Sequence, residues 1–259
     1  HYFNMVMAGG QLPENIKNPD PAEYIPLLEE TNCIKRWDAA PELPGAIEFG
    51  RHITSKGVLA SIGHTKAEYG DVLAAYNAGY SHATHFYNAM PGFHKRGEYK
   101  YEGTVESIYL FDDMTVELVA DGIHVPAPIL RMVHKIKGVE NTALITDALA
   151  CAASDSQVAF DPRVIIEDGV CKLADRSALA GSIATMDRLL RTMVFKADIP
   201  LQDAVRMSSE TPARIMGILD RKGTLEKGKD ADIVMYNKAL EVQCVWSMGK
   251  IVEGTNKLG

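Results

Sequence analysis

The stretches VLASIGHT at residues 58–65 and SHATHFYNAM at residues 81–90 each pass from a predicted strand into a histidine. Three other predicted strands, at 34–40, 116–120 and 143–145, also run into polar residues. Helical patterns separate the strands, and this alternation is typical of βαβ units in a parallel sheet. Because chemistry in parallel α/β barrels lies at the carboxyl ends of the strands, these five strand ends predict a site.

The predicted helices alternate with these strands and continue beyond them. They cover residues 21–31, 44–55, 66–78, 126–137, 186–196 and 201–216. Thr65 is placed to cap the third of them. After the last predicted strand, residues 164–173 indicate a hairpin around Asp168-Gly169, and residues 223–254 read as short strands separated by Gly and charged turns.

The strand count predicts an incomplete barrel. A (β/α)8 barrel of the TIM type has eight strands over about 250 residues, whereas residues 5–150 supply five. We therefore expect residues 1–220 to form the C-terminal five strands of such an α/β barrel, with a β-hairpin insertion near 158–175. We expect residues 221–259 to be the C-terminal part of a small β-sandwich domain, and the first three barrel strands to lie outside these residues.

Composition excludes several classes of protein. The 259 residues are 46% hydrophobic and carry a formal net charge of -7, which argues against a nucleic-acid partner, since that needs a basic face. No apolar run approaches the roughly 20 residues that cross a bilayer, so we expect no membrane partner. The four cysteines form no Cys-x-x-Cys pair, which favours reduced thiols and a cytoplasmic location.

His64 and His85 are the strongest candidates for metal ligands. Imidazole suits Zn²⁺ and Fe²⁺, and a catalytic site keeps one coordination position open for water. Either histidine alone is more simply explained as a helix cap or a core residue. Together with Asp147, two strands further on, they favour a metal site assembled from separate strands.

Other polar residues near these strand ends have two interpretations each. Asp147 could take a proton from metal-bound water and return it to a leaving amine, or it could cap the segment at Ala148. His124 could donate a hydrogen bond to a substrate, whereas Asp121 is better explained as a structural residue in a turn with Gly122.

The loop after the second histidine offers polar and cationic groups. Asn88 and the main-chain amide of Ala89 could hold polar substrate groups, or Asn88 could simply satisfy its own loop. His94-Lys95-Arg96 is the local cationic cluster closest to the other candidates. Arg matches phosphate geometry with a fork of donors, although a short basic run is usually a solvated loop.

Four segments carry a resemblance to a known family. They are SIGHT (61–65), THFYNAM (84–90), ADGIHV (120–125) and ITDA (145–148), and they resemble, in order, signature segments of the N-acetylglucosamine-6-phosphate deacetylases of the amidohydrolase superfamily. The triplets APE (40–42) and AGS (180–182) are similar to further landmarks of that family. The tail KGTLEKGKDADIV (222–234) is similar to the ending of the superfamily in general.

The resemblance implies a fold and an activity. It implies an amidohydrolase barrel that hydrolyses the acetamide of N-acetylglucosamine 6-phosphate to glucosamine 6-phosphate and acetate. His64 and His85 would bind a divalent metal, Zn²⁺ or Fe²⁺, and Asp147 would be the general base and acid. The implied substrate-binding residues are Asn88, Ala89, Arg96 and His124. The resemblance also implies a homodimer in which the basic loop serves the neighbouring subunit.

The chain departs from the family pattern in two places. The segment KRGEY (95–99) stands where the family has Gly-Arg-Glu-Pro-Gly. The family's third ligand is a Glu in His-Leu-Glu-Gly-Pro, directly before an aromatic-Phe segment like Tyr2-Phe3, and that motif is not in these residues. Two alternatives stay open: an amidohydrolase for a different N-acyl or cyclic amide, and a non-catalytic sugar-phosphate-binding barrel.

Overall fold

The computed structural model describes residues 1–152 and 158–252. Its α-helices are α1 (Pro21–Glu30), α2 (Ala46–Ser55), α3 (Tyr69–Asn77), α4 (Thr104–Tyr109), α5 (Ala127–Lys137), α6 (Met186–Arg191), α7 (Leu201–Ser208) and α8 (Glu210–Ile215). Its strands are β1 (Arg36–Ala39), β2 (Leu59–Ile62), β3 (Tyr80–Ala83), β4 (His94–Arg96), β5 (Tyr99–Tyr101), β6 (Thr115–Leu118), β7 (Thr142–Leu144), β8 (Val164–Glu167), β9 (Val170–Leu173), β10 (Ile233–Tyr236), β11 (Val242–Ser247) and β12 (Lys250–Ile251). None of the helices in these two ranges has the length and apolarity needed to span a bilayer.

The central element is a five-stranded sheet in the order β1-β2-β3-β6-β7. Every neighbouring pair in it is parallel, which confirms the predicted α/β class with a parallel sheet. Single parallel bridges extend both edges, from Tyr2 to Ala39 and from Ala148 to Ser182. All five carboxyl ends therefore meet on one side of the sheet, where the predicted site residues follow them.

The helices cover the sheet and form one large core with it. α2 packs against β2, α3 against β3, and α5 against β6 and β7. Fully buried Phe49, Ile62, Tyr80 and Leu118 belong to this core. At Gly50 of α2, an added Cβ would lie 2.1 Å from the Tyr80 ring, so only glycine allows this helix to approach the sheet so closely.

The third helix begins later than predicted. Thr65 Oγ1 accepts a hydrogen bond from Ala67 N at 2.9 Å, but the helix itself starts at Tyr69. At its start, Asp71 Oδ2 accepts from Glu68 N at 3.1 Å. Thr65 therefore closes a local turn, and a carboxylate satisfies the first free N–H of the helix.

The predicted helix at 201–216 is two helices. The backbone breaks at Ser209 (φ -138°, ψ -66°), and α8 restarts at Glu210. Pro212 explains the break, because a proline inside a continuous helix removes a hydrogen bond and clashes with the preceding turn. After the restart Pro212 lies in the first turn of α8, where no N–H donor is needed. The predicted helix at 186–196 also changes form, since Thr192–Lys196 is a π-helical turn.

Four smaller elements lie outside the sheet. The predicted hairpin is present as antiparallel β8 and β9, with Asp168 and Gly169 both at positive φ in its turn. A second hairpin, β4–β5, contains the basic run that the sequence placed in a loop, and the short helix α4 was not predicted. β10, β11 and β12 form a separate three-stranded sheet.

Candidate active site

A cavity of about 520 Å³ opens at the carboxyl ends of the parallel strands. Of the sequence-predicted site residues it brings together His64, His85, Asn88, Ala89, His124 and Asp147. They follow four different strands, and only the parallel arrangement makes them neighbours. Arg96 is the predicted site residue that does not line this cavity.

Four of these residues share an unusual backbone conformation, and three of the four come just after a strand. His64, His85 and Asp147 adopt φ values of 48°, 31° and 48° two or three residues after β2, β3 and β7. Residues other than glycine rarely occupy this left-handed region, and each instance costs about 1–3 kcal/mol that the surrounding structure must offset. The turn ends each strand abruptly and directs the side chain to the cavity. Strain of this kind clusters at functional sites.

The two histidines meet head to head. His64 Nε2 lies 3.0 Å from His85 Nε2, and the rings are nearly perpendicular, with an interplanar angle of 81°. His64 Nδ1 donates to the Met7 carbonyl at 2.7 Å, so its remaining lone pair is on Nε2. Phe3 stacks on the His64 ring, with 4.3 Å between the two ring centroids.

This geometry fits two ligands of one metal ion. Bonds of about 2.0–2.1 Å from a metal to two imidazoles, at angles of about 90–110°, separate the nitrogens by about 2.8–3.4 Å. Across residues 1–152 and 158–252, no cluster of three or more His, Cys, Asp or Glu side chains is arranged to hold a metal. The described parts of the chain therefore offer the His64–His85 pair, without a third side chain of these types arranged beside it.

Burial keeps His64 neutral at mildly acidic pH. Desolvation, with a smaller effect of neighbouring His85, lowers the pKa of His64 to about 4. A neutral imidazole is the form that binds a metal. His85 is equally buried, at 7% exposed, and no hydrogen-bond partner for its Nδ1 is present among the described residues.

The lowered pKa predicts a loss of stability in acid. The unfolded chain binds a proton on His64 below pH 6.5, whereas the metal-free native state does so only near pH 4. The stability associated with neutral His64 is fully present above pH 6.5. As the pH falls toward 4, protonation of the unfolded chain lowers the free energy of unfolding by up to about 3 kcal/mol. We expect the free energy of unfolding, measured with urea in the presence of a chelator, to fall between about pH 7 and pH 4.5. This fall should be about 2–3 kcal/mol smaller in His64→Gln than in wild type. An equal drop in wild type and His64→Gln would contradict this, and His94→Gln is the control outside the cavity.

Asp147 is an exposed residue at the edge of the cavity, where its carboxyl is partly desolvated. Desolvation raises its pKa, while His85 and His124 oppose that rise. The segment after β9 supports it, since Ser182 N donates to Asp147 O at 2.8 Å and Ser182 Oγ donates to Thr146 O. A raised pKa brings a carboxyl closer to the range in which it can both accept and release a proton.

His124 is held by the aspartate three residues before it. Asp121 Oδ1 accepts from the main-chain N–H groups of Ile123 and His124 at 2.9 and 2.8 Å. Its Oδ2 lies 2.8 Å from His124 Nδ1. These contacts fix the ring and leave Nε2 as the polar atom available in the cavity. Asp121 therefore has a structural role, as the sequence suggested, and that role is to hold His124 in place.

Asn88 and Ala89 form the rim next to His85. Asn88 Nδ2 donates to His85 O at 3.1 Å, so part of this side chain satisfies its own loop. Ala89 adopts φ 50°, and its carbonyl accepts from Thr65 N at 3.0 Å. This bond links the loop after His64 to the loop after His85.

Arg96 lies on the β4–β5 hairpin and does not line the cavity of its own chain. It forms an ion pair with Glu68, and its guanidinium lies 3.7 Å from the centroid of the Tyr101 ring. The predicted solvated loop is thus wrong in its secondary structure, because cross-strand pairing orders these residues. Within one chain, Arg96 does not reach the other site residues.

Sequence reasoning missed one wall of the cavity. Val6, Met7, Gly9, Gly10 and Gln11 line it opposite the strand ends. Four of the five are apolar residues or glycines, which carry no chemical signal. The Gly9-Gly10 pair was the available hint, because an added Cβ at Gly9 would lie 3.6 Å from His64 Cε1.

Comparisons with known proteins agree on one family. A model of the amidohydrolase family matches residues 42–252. The chain is 34% identical over 246 residues to the N-acetylglucosamine-6-phosphate deacetylase of Bacillus subtilis, covering 94% of this chain and 61% of that protein. It is 32% identical over 254 residues to the N-acetylgalactosamine-6-phosphate deacetylase of Escherichia coli, covering 96% and 66%.

Solved structures give the same result. The N-acetyl-D-glucosamine-6-phosphate deacetylase of Mycobacterium smegmatis, solved as a mutant in complex with N-acetyl-D-glucosamine-6-phosphate, matches with a TM-score of 0.89 at 31% identity. The match covers 97% of this chain and 66% of that one. The Pasteurella multocida enzyme matches with a TM-score of 0.88 at 28% identity, covering 97% and 65%. The chain thus spans 61–64% of the length of the first curated relatives it matches.

Proposed function

Because the chain belongs to the amidohydrolase family, we propose that it carries the metal-binding part of an enzyme that hydrolyses the acetamide of N-acetylglucosamine 6-phosphate. The products are glucosamine 6-phosphate and acetate. The observation that carries the proposal is the 3.0 Å approach of two imidazole Nε2 atoms in a cavity that also contains Asp147. The names of the relatives support the choice of sugar phosphate.

The fold proposal follows the same family. The parallel sheet is the C-terminal part of a (β/α)8 barrel, in which the bridges at Tyr2 and Ser182 mark the edges where neighbouring strands pair. Residues 1–220 belong to that barrel, with β8–β9 as a hairpin insertion. The sheet β10–β12 belongs to a small β-sandwich domain that begins near residue 221.

The proposed metal ligands are His64 and His85, and the proposed ion is Zn²⁺ or Fe²⁺. Both ions accept imidazole nitrogen. When bound, the ion would supply Lewis-acid chemistry, activating water and polarising the amide carbonyl. His64 is prepared for this role because the Met7 carbonyl fixes its Nδ1–H, and hydrogen bonds of this type orient metal ligands.

Asp147 is the proposed general base and acid. Its carboxylate accepts a proton from the attacking water and then delivers it to the nitrogen of the leaving amine. The carboxyl lies at the edge of the cavity three residues after β7, and partial desolvation there raises its pKa, which favours the second of these transfers. His85 and His124 limit the rise, so the ionised form that accepts the first proton stays accessible.

The proposed substrate contacts surround these groups. His124 Nε2 contacts a polar group of the sugar or the acetamide, because Asp121 occupies Nδ1. Asn88 and the main chain of Ala89 contact polar groups at the rim. Apolar Met7, Leu149 and Leu179 line the remaining wall.

Arg96 is proposed to bind the 6-phosphate of a substrate held by a neighbouring subunit. In its own chain it faces Glu68 and Tyr101, so this role requires a homodimer. The exposed hairpin also presents Lys95 and Lys100 beside it, which gives the surface a positive charge suited to phosphate.

The Arg96 assignment predicts a selective effect on substrate binding. Losing one charged hydrogen bond costs about 1.5–3 kcal/mol, or roughly 10- to 150-fold. Arg96→Ala should raise KM for the 6-phosphate by that factor and barely change KM for unphosphorylated N-acetylglucosamine. Steady-state kinetics with both sugars measures this, and Arg131→Ala, which removes an exposed arginine of α5 that does not line the cavity, is the control. An equal change for both sugars would show that the hairpin is structural, and no change would remove Arg96 from phosphate binding.

A substrate panel tests the proposed function directly. Acetate release by the metal-loaded protein should be fastest with N-acetylglucosamine 6-phosphate. Because one relative acts on N-acetylgalactosamine 6-phosphate, that sugar is the closest competitor and should be the next best. A hydantoin and an N-acetyl amino acid test other amide substrates. Faster hydrolysis of either, or no hydrolysis of any substrate, would overturn the proposal.

A further inference from the structure

Glu42 joins three segments of the chain around the loop that carries His64. Its Oε1 accepts from Lys66 N at 2.7 Å and from Asn4 Nδ2 at 2.9 Å. Its Oε2 accepts from Thr65 Oγ1 at 2.5 Å. One half-buried carboxylate thus receives three hydrogen bonds, two of them from the residues that directly follow His64.

Asn4 connects the same carboxylate to His64 from the other side. Its main-chain N–H donates to His64 O at 2.9 Å, and its Oδ1 accepts from Val6 N at 3.0 Å. Three residues after Asn4, the Met7 carbonyl accepts from His64 Nδ1. The side chain of Asn4 therefore uses its carbonyl for its own segment and its amide nitrogen for Glu42.

These hydrogen bonds connect the loop that carries His64 to the segment of the cavity wall that contains Val6 and Met7. Val6 and Met7 line the cavity, and their segment is tied to the His64 loop through Asn4 and Glu42. His64 also adopts a left-handed backbone, with φ 48°, which the surrounding hydrogen bonds must hold against its strain.

We propose that Glu42 is a positioning residue: its hydrogen bonds to Asn4, Thr65 and Lys66 hold the backbone turn that aims the imidazole of His64 at His85. The inference rests on the proposed metal site and adds to it a residue that touches neither metal nor substrate. Groups that orient metal ligands from behind typically change metal affinity about 10- to 100-fold when they are replaced.

The role depends on hydrogen-bond acceptance more than on charge. Gln in place of Glu42 keeps one carbonyl oxygen, which has two lone pairs for Asn4 and Lys66. Its amide nitrogen would face Thr65 Oγ1, and that hydroxyl can accept as well as donate. Leu keeps the approximate volume of the side chain and removes every one of these bonds.

The test compares Glu42→Leu with Glu42→Gln in the intact protein. Chelator competition measures the affinity for Zn²⁺, and the visible absorption of the Co²⁺-loaded protein reports the geometry of the ligands. We expect Glu42→Leu to lose about 10- to 100-fold in affinity and to change the Co²⁺ spectrum. Glu42→Gln should stay within a few-fold of wild type, with the wild-type spectrum. Asp20→Ala, which removes the cap of α1 at Ala22 N, is the control for a general loss of stability and should leave affinity and spectrum unchanged.

Each result has a distinct meaning. A wild-type protein that binds neither Zn²⁺ nor Co²⁺ would remove the proposed metal site and this inference with it. Wild-type affinity and spectrum in Glu42→Leu would overturn this inference alone, because the metal site would be intact. If Glu42→Leu does not fold, Asn4→Ala gives the same test, since it removes the link from Glu42 to the cavity wall. An unchanged affinity and spectrum in that variant would also overturn the inference.

Discussion

Asp147→Asn should abolish turnover while the protein stays folded and keeps its metal. The amide is close in size to the carboxyl but cannot accept the proton of the attacking water. General acid-base catalysis is typically worth about 10²–10⁴-fold, so kcat for the 6-phosphate substrate should fall by at least this range. The affected residue is not a metal ligand in this account, and its left-handed turn after β7 is main-chain geometry that Asn also tolerates.

A matched control separates proton transfer from the loss of a negative charge. Asp161 also lines the cavity, but it forms an ion pair with Arg163 at 2.6 Å and has no part in the proposed chemistry. Asp161→Asn should change kcat only slightly. If Asp147→Asn stays within a few-fold of wild-type kcat, Asp147 has no role in the mechanism.

His85→Asn should lose the bound metal. The cavity brings together the two imidazoles that we propose as ligands, and replacing one removes half of this proposed ligand set. Replacing groups that only orient a ligand already costs about 10–100-fold in metal affinity, so replacing the ligand itself should cost more. Atomic emission after dialysis should find metal in wild type and nearly none in His85→Asn, and His64→Asn should behave in the same way.

His94 provides the control for His85→Asn. It lies on the β4–β5 hairpin, where its Nδ1 donates to Gly92 O at 2.9 Å, and it does not line the cavity. His94→Asn should keep the wild-type metal content. Full metal content in both His64→Asn and His85→Asn would mean that any metal is held elsewhere.

The strand ends could be predicted from sequence because local patterns determine them. Apolar runs followed by polar residues gave all five strands of the sheet within about two residues, and with them the grouping of His64, His85, His124 and Asp147. The family resemblance is confirmed by the amidohydrolase match. The grouping could be predicted because a parallel sheet brings the carboxyl ends of all its strands to the same side.

The parts that could not be predicted depend on contacts between distant residues. Glu42 is 38 positions from Asn4 and 24 from Lys66. No local pattern in the sequence indicates that these residues are in contact. The β4–β5 hairpin carries polar and aromatic residues without clear alternation, so the basic run looked like a loop. Gly97 at φ 63° in its turn was the local hint.

The most direct test of the account is anomalous X-ray diffraction from crystals of the intact protein loaded with Zn²⁺. Data collected on either side of the zinc absorption edge locate the ion without reference to activity. The account predicts one peak in the cavity, about 2.0–2.1 Å from both His64 Nε2 and His85 Nε2, with Asp147 nearby. A cavity without a peak, or a zinc ion bound away from these two nitrogens, would contradict it.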